Sequence, residues 1–174
     1  MKRLARGVRN LDRALFSFVF RIKWRPFTEL MRAFTIAGKM GALWAAIAFL
    51  TFLLTGLRPY HLLVPWVAVA ASWTVAEGAK HLFNRARPFM ADTEIAPFTK
   101  TPSSSSFPSG HSASAAAGVL ALSAVYPTLA PALLLLGFLV ALSRVYLGVH
   151  YPFDVLAGLL IGTATAAAVL ALTS

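Results

Sequence analysis

The chain reads as an all-α integral membrane bundle, about five transmembrane helices preceded by an N-terminal interfacial amphipathic helix. Three observations lead there. Apolar runs of 17–20 residues recur along the chain, each close to the ~20 residues a helix needs to cross ~30 Å of hydrocarbon. Hydrophobic residues make up 58% of the 174 positions and charged residues 13%, with a mean hydropathy of +0.70; soluble domains run near roughly 45–50% and 25%. The charge is also segregated, because nine of the sixteen basic residues (Lys2, Arg3, Arg6, Arg9, Arg13, Arg21, Lys23, Arg25 and Arg32) fall in the first 32 positions. A net charge of +10 on a soluble chain would point to nucleic acid. Confined to one end of an oily chain, it points instead to anionic lipid headgroups, with no nucleic-acid partner.

Taken in order, residues 1–35 are a basic tail and an interfacial helix. The apolar stretch within 11–23 is too short to span and is bracketed by Arg13, Arg21 and Lys23. Arg21, Lys23 and Arg25 stand where a signal peptide would need small residues for cleavage. Five spans follow, over 41–57, 62–79, 109–126, 131–149 and 153–172. Gly158 and Gly162 form a GxxxG pair on the last, a surface on which helices approach closely in lipid. The link at 80–108 is the long polar one and therefore the expected active-site loop; its serine run, 103–106, reads as a flexible linker, with a lid as the alternative. The whole of 1–174 is a single domain. The absence of cysteine removes thiolate metal sites and a cysteine nucleophile together.

Polar groups gather where a bilayer penalises them. Lys80, Arg85 and Arg87 follow the second span, His111 opens the third, Arg144 and His150 close the fourth, and Asp154 opens the fifth. With spans alternating up and down, all of these meet at one face. Lys80, Arg87 and Arg144, beside the helix start Pro108-Ser109-Gly110-His111, make an anion site in which Gly110 admits close backbone approach. Asp154, four residues past His150, can hold one ring nitrogen and leave the other as an oriented nucleophile. His111 is then free to give a proton to a leaving oxygen. Glu77 reads as a neutralising partner of Lys80. His61 and His81 read as interfacial residues, and the four tryptophans as interface or packing aromatics. Asp92 and Glu94 in one loop do not amount to a metal site, so no metal and no cofactor are expected.

Lys80-x6-Arg87-Pro88, Pro108-Ser109-Gly110-His111 and Ser143-Arg144-x5-His150-x3-Asp154 resemble the three signature motifs of the type 2 phosphatidic acid phosphatase (PAP2) superfamily. That family holds bacterial lipid phosphatases, prenyl diphosphate phosphatases, glucose-6-phosphatase and vanadium haloperoxidases. The motifs cover residues 80–154, in order and intact. The resemblance implies a helical bundle and a metal-independent lipid phosphate phosphatase working through a phosphohistidine. His150 would be the nucleophile, Asp154 its orienting group and His111 the acid and then the base. Lys80, Arg87, Ser109, Gly110 and Arg144 would bind the phosphate. Many bacterial members carry six spans, with an extra one at the N-terminus; five are read here.

The implied partners are the bilayer and a membrane lipid: a prenyl diphosphate, phosphatidylglycerol phosphate, phosphatidate or a prenyl phosphosugar. The competing readings are a phosphotransferase using the same intermediate, a vanadium haloperoxidase-like enzyme and a non-catalytic lipid-binding protein. Five spans put the basic tail and the site on one side. By the positive-inside rule that is the cytoplasmic face of a bacterial plasma membrane. Oligomeric state is not legible in the chain.

Overall fold

Residues 2–173 are described by a computed structural model, and eight α-helices organise them with no strand among the described residues. They are α1 (Lys2–Arg21), α2 (Arg25–Ala37), α3 (Ala42–Leu54), α4 (Pro59–Ala79), the single turn α5 (Pro88–Ala91), α6 (Gly110–Val125), α7 (Ala130–Tyr146) and α8 (Pro152–Thr173). The protein is an all-helical membrane bundle. Leu53, Leu54, Val67, Leu134, Leu135, Phe138, Leu156 and Leu160 stand exposed on its outside, an apolar coat suited to lipid.

The helix starts follow simple rules. Pro59, Pro88 and Pro152 each open their helix, where a missing N–H costs nothing and the fixed φ already suits the first turn. α6 lies at the centre against α4, α7 and α8. Its Ala-rich sequence lets all three come close. A Cβ at Gly158 would collide with the Ser109 carbonyl, and one at Gly162 with the Ala113 carbonyl. The GxxxG pair therefore seats α8 on the backbone of the first turn of α6, which is how the starts of these two helices come to lie side by side. Trp44 is fully buried, its ring filling the space left by Gly118.

Each expected span falls on a helix, but the boundaries of the first differ. The basic tail is not a separate segment: residues 2–21 form one continuous helix. Residues 25–37, read with the tail, form α2. With the following helix it makes a pair, Arg25–Ala37 and Lys39–Leu54, bent by 54° and apolar enough to cross as one broken span. Arg25, Glu29 and Arg32 hide that membership in the sequence. Three helical stretches, Pro59–Leu82, Pro127–Tyr146 and Pro152–Thr173, are long and apolar enough to cross alone. α6, at 16 residues, is shorter. Encased by its neighbours, it answers to packing more than to lipid thickness.

α2 runs antiparallel to α7. Tyr146 Oη accepts from the Trp24 N–H at 3.3 Å and shares a hydrogen bond with Thr28 at 2.9 Å, while Thr35 and Ser143 meet deeper at 2.8 Å. Lys23 clamps the α1–α2 turn. Its ammonium lies against the rings of Phe20, Phe98 and Tyr146 and donates to the Tyr146 carbonyl at 2.6 Å. Burial holds this amine down at about 8. α1 is thereby laid across the end of the bundle, packing Phe16 against Tyr151, Val145 and Val155.

Candidate active site

His150 owes its place to two helix ends. α7 finishes in a Schellman motif: the Val149 N–H reaches the Arg144 carbonyl at 3.2 Å and the Gly148 N–H the Val145 carbonyl at 3.0 Å. Gly148 takes the left-handed conformation this closure needs, at φ +83°. The His150 N–H is drawn to the same Arg144 carbonyl at 3.1 Å. α8 then starts at Pro152, and Asp154 in its first turn accepts the Tyr151 N–H at 2.9 Å, the reciprocal half of a capping box. Arg144, His150 and Asp154 are thus fixed by one cap and the next.

The His150 ring is held at both nitrogens. Nδ1–H donates to the Ser106 carbonyl at 2.7 Å, and Nε2 accepts from Arg87 Nη1 at 3.1 Å. The carbonyl can only accept and the guanidinium can only donate. The pair therefore assigns the proton to Nδ1 and the lone pair to Nε2. Burial, and then the charges of Arg144, Arg87 and Lys80, push the His150 imidazolium well below the usual histidine range, so the ring is neutral near pH 7.

Asp154 sits differently from the expectation. His150 lies ahead of α8 rather than on its first turn, and the Asp154 carboxylate stands 3.6 Å from Nδ1, beyond a hydrogen bond. It takes the Ser106 hydroxyl at 2.5 Å and Arg85 Nη1 at 2.7 Å. Asp154 reaches the histidine through Ser106.

Arg87 sits on the lone pair, and the charges of Arg144 and Lys80 also act on the ring. Arg87 spends Nε and Nη2 on the Ser104 and Ser105 carbonyls at 2.9 and 3.1 Å and gives Nη1 to the Val149 carbonyl at 2.9 Å as well as to His150. Arg144, 3% exposed, donates Nη1 to Thr35 at 2.8 Å, and its Nε has no partner. Among the described residues neither Arg87 nor Arg144 has a carboxylate within ion-pair distance. Lys80 does: it holds Glu77 at 2.6 Å. Two buried guanidiniums without counter-ions are costly unless an anion comes to them.

The remaining expected residues cluster at the same end. His111 Nε2–H donates to the Thr35 carbonyl at 3.2 Å. Ser109 caps α6, its Oγ accepting from the Ser112 N–H at 3.4 Å and from the Ser112 hydroxyl at 2.9 Å, so its side chain serves the helix itself. The first-turn N–H groups that follow, at Gly110 and His111, are the donors a helix start leaves for an anion. At Gly110 a Cβ would come within 2.6 Å of Glu77. His61 lies away from this set, against Tyr126 and Tyr60.

The serine run departs from the linker reading. The carbonyls of Ser104, Ser105 and Ser106 and the hydroxyls of Ser104 and Ser106 all serve the site. No sequence signal marks a carbonyl as an acceptor. Thr35, which holds both Arg144 and His111, and Asp12, which pairs with Arg85, were also missed. For Asp12 one hint existed: it is one of only two acids among the first 35 residues.

A buried neutral histidine beside arginines without counter-ions, at one end of a helical membrane bundle, fits one class of protein. The chain belongs to the PAP2 superfamily, whose family model matches residues 61–174. It is similar to decaprenylphosphoryl-5-phosphoribose phosphatase of Mycolicibacterium smegmatis, 43% identical over 97 residues that cover 53% of this chain and 52% of that one. The solved transmembrane PAP2-type phosphatidylglycerolphosphate phosphatase of Bacillus subtilis matches at a TM-score of 0.77 and 26% identity, over 96% of this chain and 86% of that one. Aquifex aeolicus LpxE matches at 0.78 and 25% identity, over 92% and 95%. The chain spans about half the length of curated relatives it matches.

Proposed function

We propose that the protein removes phosphate from a phosphomonoester or diphosphate carried on a membrane lipid. The observation that carries this reading is the neutral His150 ring, lone pair at Nε2, facing two buried arginines that have no carboxylate of their own. Nε2 attacks phosphorus, forming an N–P bond as the P–O bond to the lipid breaks. His111, charged at Nδ1 once the phosphate dianion has entered beside it while Nε2–H stays on the Thr35 carbonyl, gives the Nδ1 proton to the departing oxygen. Water then attacks phosphorus, His111 takes its proton, and the N–P bond breaks to release inorganic phosphate and restore His150. Arg87, Arg144, Lys80 and the first-turn N–H groups of α6 neutralise the phosphoryl oxygens, the charge stabilisation on which phosphoryl transfer depends.

A lipid substrate is supported by position. The site lies at the end of the bundle that α1 crosses, and Val8, Leu11, Leu15 and Phe18 of α1 form an exposed apolar stripe suited to the bilayer surface. Lipid or prenyl phosphates named in the relatives make a prenyl phosphosugar the first substrate to try, followed by phosphatidylglycerol phosphate, prenyl diphosphate and phosphatidate. Phosphate release from this panel, in detergent with EDTA, is expected for the wild type and not for His150→Ala. A variant that still turns over would remove His150 from the nucleophile role.

The basic residues of α1 and the α1–α2 turn lie at the site end of the bundle, which supports a cytoplasmic site at the bacterial plasma membrane. The chain has no cysteine. A single Lys100→Cys in the exposed loop is expected to react with an impermeant maleimide only after cells are opened. Labelling of intact cells would put the site outside.

A further inference from the structure

We propose that Asp12, on the N-terminal helix α1, is a positioning residue for the nucleophile His150, acting through Arg85, Asp154 and Ser106; this rests on the reading of His150 given above. Asp12 is 1% exposed although it lies on a helix otherwise rich in exposed arginines. Both of its oxygens are committed. Oδ1 accepts the Phe153 N–H at 2.9 Å, satisfying a first-turn donor of α8 from another helix. Oδ2 takes Arg85 Nη2 in a close ion pair.

Arg85 is the bridge. Its other arm, Nη1, holds Asp154 Oδ1 at 2.7 Å, so one planar fork spans two buried carboxylates. The Tyr151 ring lies 4.4 Å from the guanidinium and covers it. Asp154 in turn uses Oδ2 to take the Ser106 hydroxyl at 2.5 Å, and the Ser106 carbonyl fixes His150 Nδ1–H at 2.7 Å. A line of hydrogen bonds, charge-assisted as far as the Ser106 hydroxyl and neutral at its last step, thus runs from α1 to the His150 ring.

Without the Asp12 charge, Arg85 is free to turn both arms onto Asp154. That pulls the carboxylate from Ser106 and lets the His150 ring lose its orientation. The side chains of Arg87 and Arg144 share no hydrogen bond with Asp12 or Arg85, so anion affinity is expected to hold. The mark of a positioning role is therefore a fall in kcat with KM and anion binding preserved.

The test uses the full chain in detergent with its best lipid phosphate. Asp12→Asn keeps an acceptor for the Phe153 N–H and puts an amide N–H2, which can only donate, where Oδ2 took Arg85, so the charge and the ion pair go together. It is expected to lower kcat about tenfold or more, the scale seen when a partner that orients a reacting group is lost, while KM and inhibition by orthovanadate stay within twofold. Combined with Ser106→Ala it is expected to add little to the single loss, since both act on one line. If Asp12→Asn fails to fold, Arg85→Lys asks the same question with a point charge that cannot fork, and the same split is expected.

A kcat within twofold of wild type for the folded variant would overturn the proposal. So would a parallel loss of vanadate inhibition, or losses that multiply in the double variant. His150→Ala, run beside them, separates the two readings. If it still turns over, the nucleophile assignment fails. If it is dead and Asp12→Asn is as fast as wild type, only the positioning role of Asp12 fails.

Discussion

Two arginine environments lie side by side at the site. Arg85 is saturated with anions, its fork spread between Asp12 and Asp154. Arg87 and Arg144 are more deeply buried and have none; they lean on carbonyls, a threonine hydroxyl and the neutral His150. A saturated guanidinium is a strut, since its charge is already spent on fixed partners. An unsatisfied one is a socket for an anion. Arg85 and Arg87 stand two positions apart in the sequence, and only their surroundings separate them.

The sharpest way to break this contrast is at the reacting ring. His150→Ala is expected to cost at least about 10⁴-fold in kcat, as loss of a nucleophile does in other enzymes; initial rates in EDTA measure it. Next comes the socket. Arg144→Ala is expected to lower kcat/KM by about 10²–10³-fold, the range for removing one group that stabilises transition-state charge, and to weaken orthovanadate in step. Vanadate inhibition unchanged in this variant would erase the distinction between socket and strut.

A smaller effect probes the intermediate case. Lys80 is half-committed, its ammonium held by Glu77 at 2.6 Å. Glu77→Gln should release that charge toward the pocket and tighten vanadate by a few fold, in line with the ~0.2–1 kcal/mol of partly exposed pairs. Inhibition titrations read the direction directly, and weaker binding would count against Lys80 facing the anion.

The fold offers an independent check. Gly162→Ala places a methyl on the Ala113 carbonyl and is expected to destabilise by about 1–3 kcal/mol, the cost of overpacking. Because α8 would shift on α6, melting in detergent should fall together with activity. The smallest effect is in pH. The folded His150 pKa lies below its unfolded value of ~6.5. Below that pH the unfolded chain takes a proton that the folded chain refuses, so stability falls as pH falls. His150→Gln should flatten the change in melting temperature between pH 7.5 and 5.

Much of this is legible in the sequence. The apolar runs announce a membrane bundle because a bilayer leaves few other solutions for the backbone. Charges beside those runs announce a site because the bilayer makes idle ones expensive. Lys80, Arg87, His111, Arg144, His150 and Asp154 stand out on that ground, and the fold gathers them at one end. The span through α2 does not stand out, because Arg25, Glu29 and Arg32 interrupt the apolar pattern that the broken span still uses. Nor does the serine run, whose work is done mostly by backbone carbonyls that every residue type carries. Asp12 stands out only as a rare acid in a basic segment, because its partners lie 73 and 141 positions away and no spacing rule links them.

The central claim is that His150 Nε2 takes the phosphoryl group. Its most direct test is to mix the enzyme with a lipid phosphate labelled at the scissile phosphorus, quench in alkali and map the label. The account requires an acid-labile, alkali-stable label on the peptide bearing His150, formed at least as fast as turnover and absent from His150→Ala. Full turnover with no label on that peptide under any quench time would contradict it.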